Sequence, residues 1–213
     1  MLRAATTAVY AFLLLPLVVV VLAAFNAGNY FTFPPQGFSL KWFANFFARR
    51  EFMQALWLST HLGVATAALS VLIGLPAAVA LVRGRFRGRD GLNAFVMSPL
   101  LLPQILTGVA MLQFFTVLGW AQTYWALLVG HVVVTAPYVI RTASATLYHF
   151  DPALEEAARS LGASPLRAFF EVTLGVIKPG VVAGAIFAFA IGVVLVLVLG
   201  IARLMGLEEF AGF

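Results

Sequence analysis

The sequence has no cysteine, which excludes disulfides and thiolate metal sites and removes any redox clue to its compartment. It is also short of charge: Asp, Glu, Lys and Arg make up 10% of the 213 residues, where soluble domains carry about 25%. The motifs of self-sufficient catalysis are missing too. The two lysines sit in "SLKW" and "VIKPG", so no Gly-Lys-Ser/Thr loop exists to cradle a nucleotide's phosphates. His61, His131 and His149 are scattered without an H-E-x-x-H arrangement, and no G-x-S-x-G elbow occurs, so hydrolase and metalloenzyme readings lose their usual support. If ATP drives this protein, another chain must bind it.

What the sequence does contain is apolar. Hydrophobic residues reach 62% and the mean hydropathy is +1.01, which places the chain in a bilayer. A spanning helix needs about 20 mostly apolar residues to cross a hydrocarbon core about 30 Å thick. Five segments meet that requirement, at about 8–27, 54–82, 92–118, 124–146 and 180–202, giving an all-α integral membrane fold in a single transmembrane domain over 1–213. The first segment has a signal-peptide alternative, with Arg3 ahead of the apolar core and small Ala23 and Ala24 behind it; four further spans favour an anchor. With the N-terminus in the cytoplasm, nine of the 13 Lys and Arg fall on the inner side, which is the orientation the positive-inside bias selects. The net charge of +5 therefore reads as topology and headgroup contact, not nucleic-acid binding. No Asp or Glu lies in any span, which weakens an ion-coupled carrier.

Between the first two spans, Pro34, Pro35 and Gly37 break any helix. Ser39 then caps a short one carrying Trp42, Phe43, Phe46 and Phe47, which suits an aromatic anchor at the outer interface or a docking surface for an external partner. The arginines of "RGRFRGRDG", Arg83 to Gly91, read as an orienting inner loop in preference to a phosphate site. Pro99 and Pro103 predict a kink or local unwinding in the third span. Gln104, Thr107 and Gln113 are candidate pathway residues there, or ordinary helix-to-helix hydrogen bonders. In the fifth span Gly180, Gly184, Ala188 and Gly192 recur every fourth residue, a stripe that lets two helix backbones approach closely, within this chain or against a second membrane subunit.

The one long polar stretch of the second half, "EEAARSLGASPLRAFFEVTLGVIKPG", lies between the last two spans and projects into the cytoplasm. Asp151 and Pro152 start a helix with a cap and a proline at its first position. Leu154, Ala157, Ala158 and Leu161 form an apolar stripe. Glu155, Glu156 and Arg159 lie opposite, with Glu155 and Arg159 at ion-pair spacing. Gly162 predicts a left-handed stop, and Ser164 and Pro165 start a second short helix after the elbow. Such a knob fits either a groove on another protein or the lipid headgroups.

Glu156, Ala157, Ala158 and Gly162 resemble the "EAA", three residues, "G" loop of binding-protein-dependent ABC import permeases. The resemblance continues through "LGASPLRAFFEVTL" and "KPGVVAGAIFAF". "FNAGNYFTFPPQGFSLKWF", "LVRGRFRGRDG" and "MSPLLLPQILTGVAML" are similar to the polyamine permeases within that family. The resemblance implies a type I importer subunit of the inner membrane, its loop 151–178 docking on a cytoplasmic ABC ATPase dimer that binds ATP and magnesium. A second permease subunit and an external solute-binding protein complete the assembly it implies, and this chain itself holds no cofactor and catalyses nothing. Glu156, Ala157, Ala158, Arg159, Gly162 and Ala163 are the implied coupling residues, and a polyamine or related small organic solute the implied cargo. Gly175 stands where the family usually has proline, which predicts a looser second helix. The family also continues into a sixth span that this sequence lacks, so a truncated product is expected; a non-transporting membrane scaffold and an ion-coupled carrier are the other readings.

Overall fold

The computed structural model describes residues 2–28 and 37–204. Apart from one isolated antiparallel bridge, Asn26 to Phe38, the described residues outside turns are helical. Pro34 and Pro35 lie outside the described residues. Four described helices are long and apolar enough to cross a membrane, or five if one sharply bent pair counts as a span. The chain divides after Gln54 into two compact units.

The first unit holds α1 (Leu2–Ala24) and α2 (Lys41–Ala48). The bridge between them is closed by Ala27 N–H to the Gly37 carbonyl at 2.9 Å and Ser39 N–H to the Phe25 carbonyl at 2.8 Å. Ser39 serves the start of α2, its Oγ accepting from the Lys41 N–H at 3.1 Å. The helix is pinned back on the bridge by Trp42, whose indole N–H donates to the Asn26 carbonyl at 2.9 Å, and by Phe43 against Phe25, ring centres 5.3 Å apart. Trp42, Phe43 and Phe47 remain exposed, the aromatic face expected of an interfacial helix.

The second unit begins within α3 (Arg50–Arg83) and continues through α4 (Arg89–Leu101), α5 (Gln104–Val117), α6 (Tyr124–Tyr148), α7 (Pro152–Ser160), α8 (Pro165–Ala168) and α9 (Leu174–Leu204). Helices α6 and α9 form its most extensive pair. Their close approach follows from the small-residue stripe: a Cβ added at Gly180 would lie 2.6 Å from the Thr142 carbonyl oxygen, and one at Gly184 would lie 2.8 Å from the Val139 Cα. Helix α3 crosses both, with Gly74 against Val139 and Gly63 against Phe189 and Val193. Around these contacts lies a core of Ala78, Leu81, Ile140, Ala143, Leu147, Phe150, Ile177 and Val181.

The predicted third span is two half-length helices, α4 and α5, meeting at 104°. At about 1.5 Å per residue each is about 20 Å long, too short to cross alone. Pro103 forces the break: it lacks an N–H, and Leu102 before it is extended, with φ −86° and ψ 144°. Pro99, four residues earlier, leaves α4 unbroken. The Phe95 carbonyl that has lost its usual donor there accepts instead from the Ser98 hydroxyl at 2.7 Å.

The second short helix expected after the elbow does not stand alone. Helix α8 passes through a π-helical turn, Phe169–Thr173, directly into α9, so that Pro165–Val194 reads as one span. The cap at Ser164 starts this helix and nothing stops it, because the roughly 1 kcal/mol a mid-helix glycine costs is too little to end a packed span at Gly175. The helix is continuous through Gly175.

Candidate functional site

Helix α7 is set at both ends by its own residues. At its start, Asp151 Oδ1 accepts from the Ala153 N–H at 3.0 Å and Pro152 occupies the first turn. At its end Gly162 is left-handed, φ +93°. Its N–H reaches the Arg159 carbonyl at 3.0 Å, while the Ala163 N–H reaches the Ala158 carbonyl at 3.1 Å, the paired bonds of a Schellman cap. Space does not dictate glycine there, since nothing lies within 4 Å of a Cβ built at Gly162. The backbone angle alone does. Ser164 Oγ then accepts from the Arg167 N–H at 3.3 Å and turns the chain into α8.

The helix has an inner and an outer side. Ala158 and Ala163 are half-buried, whereas Glu156, Ala157 and Arg159 are exposed. The apolar stripe predicted from spacing therefore splits. Leu154, Ala157 and Leu161 turn outward, with Leu161 90% exposed, and Leu166 and Phe170 beyond the elbow are exposed as well.

Glu155 faces inward and does not take the Arg159 partnership its spacing offered. Its Oε2 accepts from Arg83 Nη1 at 2.8 Å and from Thr173 Oγ1, also at 2.8 Å. Arg83 is the last residue of α3, Thr173 ends the π turn, and the Arg83 guanidinium lies 5.1 Å from the centre of the Phe150 ring. Three elements thus converge on one carboxylate oxygen. Partial burial pushes the Glu155 carboxyl up, but the bonds from Thr173 and Arg83 and the charges of Arg83 and Arg159 outweigh it and hold it below its ordinary value. Neither Arg83, which the sequence offered only as an orienting loop charge, nor Thr173 could be singled out by spacing, because they lie 72 and 18 residues from Glu155. Beside this junction Arg85, Arg89, Arg159 and Glu156 line a cleft of about 440 Å³ between α7 and the loop that follows α3.

The other candidates lie elsewhere in the fold. Pro99 is half-buried in α4, Pro103 is exposed at the bend, and Gln104 and Gln113 are exposed on α5. Thr107 Oγ1 is buried and lacks a partner among the described residues. Gly180, Gly184, Ala188 and Gly192 are all buried within this chain. A polar contact that sequence reading missed joins α3 to α6: Ser70 Oγ and Thr135 Oγ1 are 2.7 Å apart, both fully buried. Among the described residues no group of three His, Asp or Glu is placed to hold a metal ion.

Residues 2–205 match the family described as the binding-protein-dependent transport system inner membrane component. The putrescine transport system permease protein PotI of Escherichia coli (strain K12) is 34% identical over 192 residues, covering 85% of this chain and 67% of the relative. The spermidine/putrescine transport system permease protein PotC of the same organism is 32% identical over 185 residues, 87% and 70% of the two chains. Among solved structures, a bacterial ABC transporter involved in import of the acidic polysaccharide alginate superposes with a TM-score of 0.64 at 17% identity, over 90% of this chain and 69% of that one. The last likeness speaks for the helical architecture, and the first two for ancestry. This chain belongs to the inner-membrane permease family of binding-protein-dependent transport systems, the membrane subunits of ABC importers.

Proposed function

We propose that this chain is the permease subunit of an ATP-driven importer of polyamines or a related small organic solute, and that α7 is the helix through which a cytoplasmic ATPase drives it. The observation that carries the coupling role is the two-sidedness of α7. Its inner side is tied by Glu155 to α3 and to the start of the last span, while its outer side presents Leu154, Ala157 and Leu161, exposed among the described residues. An apolar ridge on a rigidly held knob suits a groove on another protein.

In this reading the N-terminus is cytoplasmic, as the distribution of Lys and Arg favours. Two ATPase subunits bind ATP and magnesium, a second permease subunit completes the pathway, and an external binding protein delivers the cargo. Ala157 and Leu161 sit in the ATPase groove, Glu156 and Arg159 form its charged rim, and Gly162 with Ala163 fixes the elbow. Closure of the ATPases rotates α7, and the Glu155 junction passes that rotation to α3 and α9 as a rigid-body movement. The ATPase must therefore hold α7 differently in its two states, since only differential affinity shifts an equilibrium. The polyamine assignment rests on the two relatives described above. The carboxylates of the spans, Glu51, Asp90 and Glu171, all lie near helix starts, and none occurs in 52–82, 91–148 or 174–204, so a polycation finds no counter-charge along the pathway and selectivity resides in the binding protein.

The test is Ala157→Cys in the assembled transporter, cross-linked in native membranes, alongside putrescine uptake by Leu161→Asp in reconstituted vesicles. Expected are a cross-link to the ATPase that changes yield with ATP, and loss of uptake with assembly intact. Cross-links to phospholipid alone, or normal uptake by Leu161→Asp, would overturn the coupling role.

A further inference from the structure

The last turns of α6 and the length of α4 line a cleft of about 450 Å³ with an arginine on each wall, Arg89 and Arg141. Arg89 has Asp90 beside it, but the two lie 3.8 Å apart and the Asp90 side chain is fully exposed, so the neutralisation is slight. Arg141 makes no hydrogen bond or ion pair among the described residues. It stands seven residues before the end of α6 at Tyr148, about 10 Å along the axis, a depth at which an uncompensated guanidinium calls for a counter-charge.

The rest of the cleft is divided by polarity. Asn93 and Ser144 offer hydrogen-bonding groups beside the arginines, while Met97 and Leu100 supply an apolar wall. Leu101 and Tyr148 also line the cleft and are 79% and 66% exposed, so it is open to its surroundings.

We infer that this cleft binds an anionic phospholipid, with the headgroup phosphate held between Arg89 and Arg141 and an acyl chain lying along Met97 and Leu100. The combination of two cations and an apolar wall selects an amphiphilic anion. A polyamine meets two positive charges there, and a free phosphate has no use for the wall. Basic pockets between helices at the cytoplasmic face of a membrane are known to suit such headgroups. The inference goes beyond the transport reading and is independent of it.

The test uses the full chain purified in neutral detergent, with retention of phosphatidylglycerol, phosphatidylcholine of the same acyl composition and inorganic phosphate measured by native mass spectrometry. Phosphatidylglycerol is expected to be retained in preference to phosphatidylcholine, and Arg141→Gln and Arg89→Gln each to weaken it about fivefold. Arg141→Lys should keep most of the preference, and it serves as the informative variant if Arg141→Gln does not purify as a single species. Equal retention of the two lipids, displacement of phosphatidylglycerol by an equal concentration of inorganic phosphate, or glutamine variants that bind as wild type would each overturn the proposal. So would loss of a partner membrane subunit from the Arg141→Gln assembly with lipid retention unchanged, which assigns the cleft to a protein carboxylate.

Discussion

Gly63 and Gly192 meet backbone to backbone: a Cβ on Gly192 would lie 2.8 Å from the Gly63 Cα, and one on Gly63 would lie 2.7 Å from Val193 Cγ2. The smallness of the last span thus serves two neighbours, α6 at Gly180 and Gly184 and α3 at Gly192. Gly192→Ala forces α3 and α9 apart and is expected to destabilise the chain by about 1–3 kcal/mol. Gly175→Ala, with open space around it, is expected to be neutral or stabilising. Thermal unfolding of the two variants in detergent checks the contrast.

The Arg83–Glu155 pair invites a double-mutant cycle. The Glu155 side chain is 21% exposed and Arg83 33%, so the pair is partly shielded from solvent. Arg83→Gln and Glu155→Gln are expected to show a coupling of about 1–2 kcal/mol in stability. Thr173→Val removes the second donor and should weaken the junction further. Single substitutions that simply add would mean the pair is only a surface contact.

The same carboxyl makes the junction sensitive to acid. Its value in the folded chain is depressed below the ordinary 4.5, so its contribution is complete above 4.5 and lost as pH falls through the lower folded value. Wild type should therefore lose stability relative to Glu155→Gln as pH is lowered below 4.5, and the two should run parallel at higher pH. Melting curves taken between neutral pH and acid, at constant ionic strength, give the comparison.

Gly162 has a backbone requirement with no steric one, and this predicts an order among substitutions. Gly162→Ala should cost about 1–2 kcal/mol through the left-handed angle alone, and Gly162→Asn distinctly less. The readout is amide exchange at Ala163, whose N–H closes the cap, together with uptake by the assembled transporter. Equal effects of Ala and Asn would show that volume, not backbone angle, matters.

In α4, Ser98→Ala leaves the Phe95 carbonyl without its hydroxyl donor in a helix that Pro99 has already deprived of an N–H. A cost of about 1 kcal/mol is expected. The double substitution Ser98→Ala with Pro99→Ala restores a backbone donor and should recover that loss. Failure of the rescue would mean the carbonyl is satisfied by other means.

Local chemistry was legible in the sequence and distant chemistry was not. The limits of α7 follow from Asp151, Pro152 and Gly162, each of which acts on its own few backbone bonds, and the break near Pro103 follows from one missing donor. The angle of that break depends on what α4 and α5 pack against, which spacing does not contain. The stripe of Gly180, Gly184, Ala188 and Gly192 identified a face but not the helices on the other side of it. Glu155 illustrates the limit best. Four residues from Arg159 it had an obvious local partner, yet the fold brings Arg83 from the end of another span and Thr173 from a turn that periodicity gave no reason to expect.

That wide turn at Phe169–Thr173 sets the azimuth of the elbow. A π turn holds one residue more than regular winding needs, and one residue is worth about 100° of rotation about the axis. Everything N-terminal to it is consequently dialled round relative to the rest of the same rod, which brings Thr173 under the carboxylate while leaving Leu166 and Phe170 facing out. A chain with one residue deleted here would keep the packing of α9 against α6 and α3 and aim its knob in a different direction.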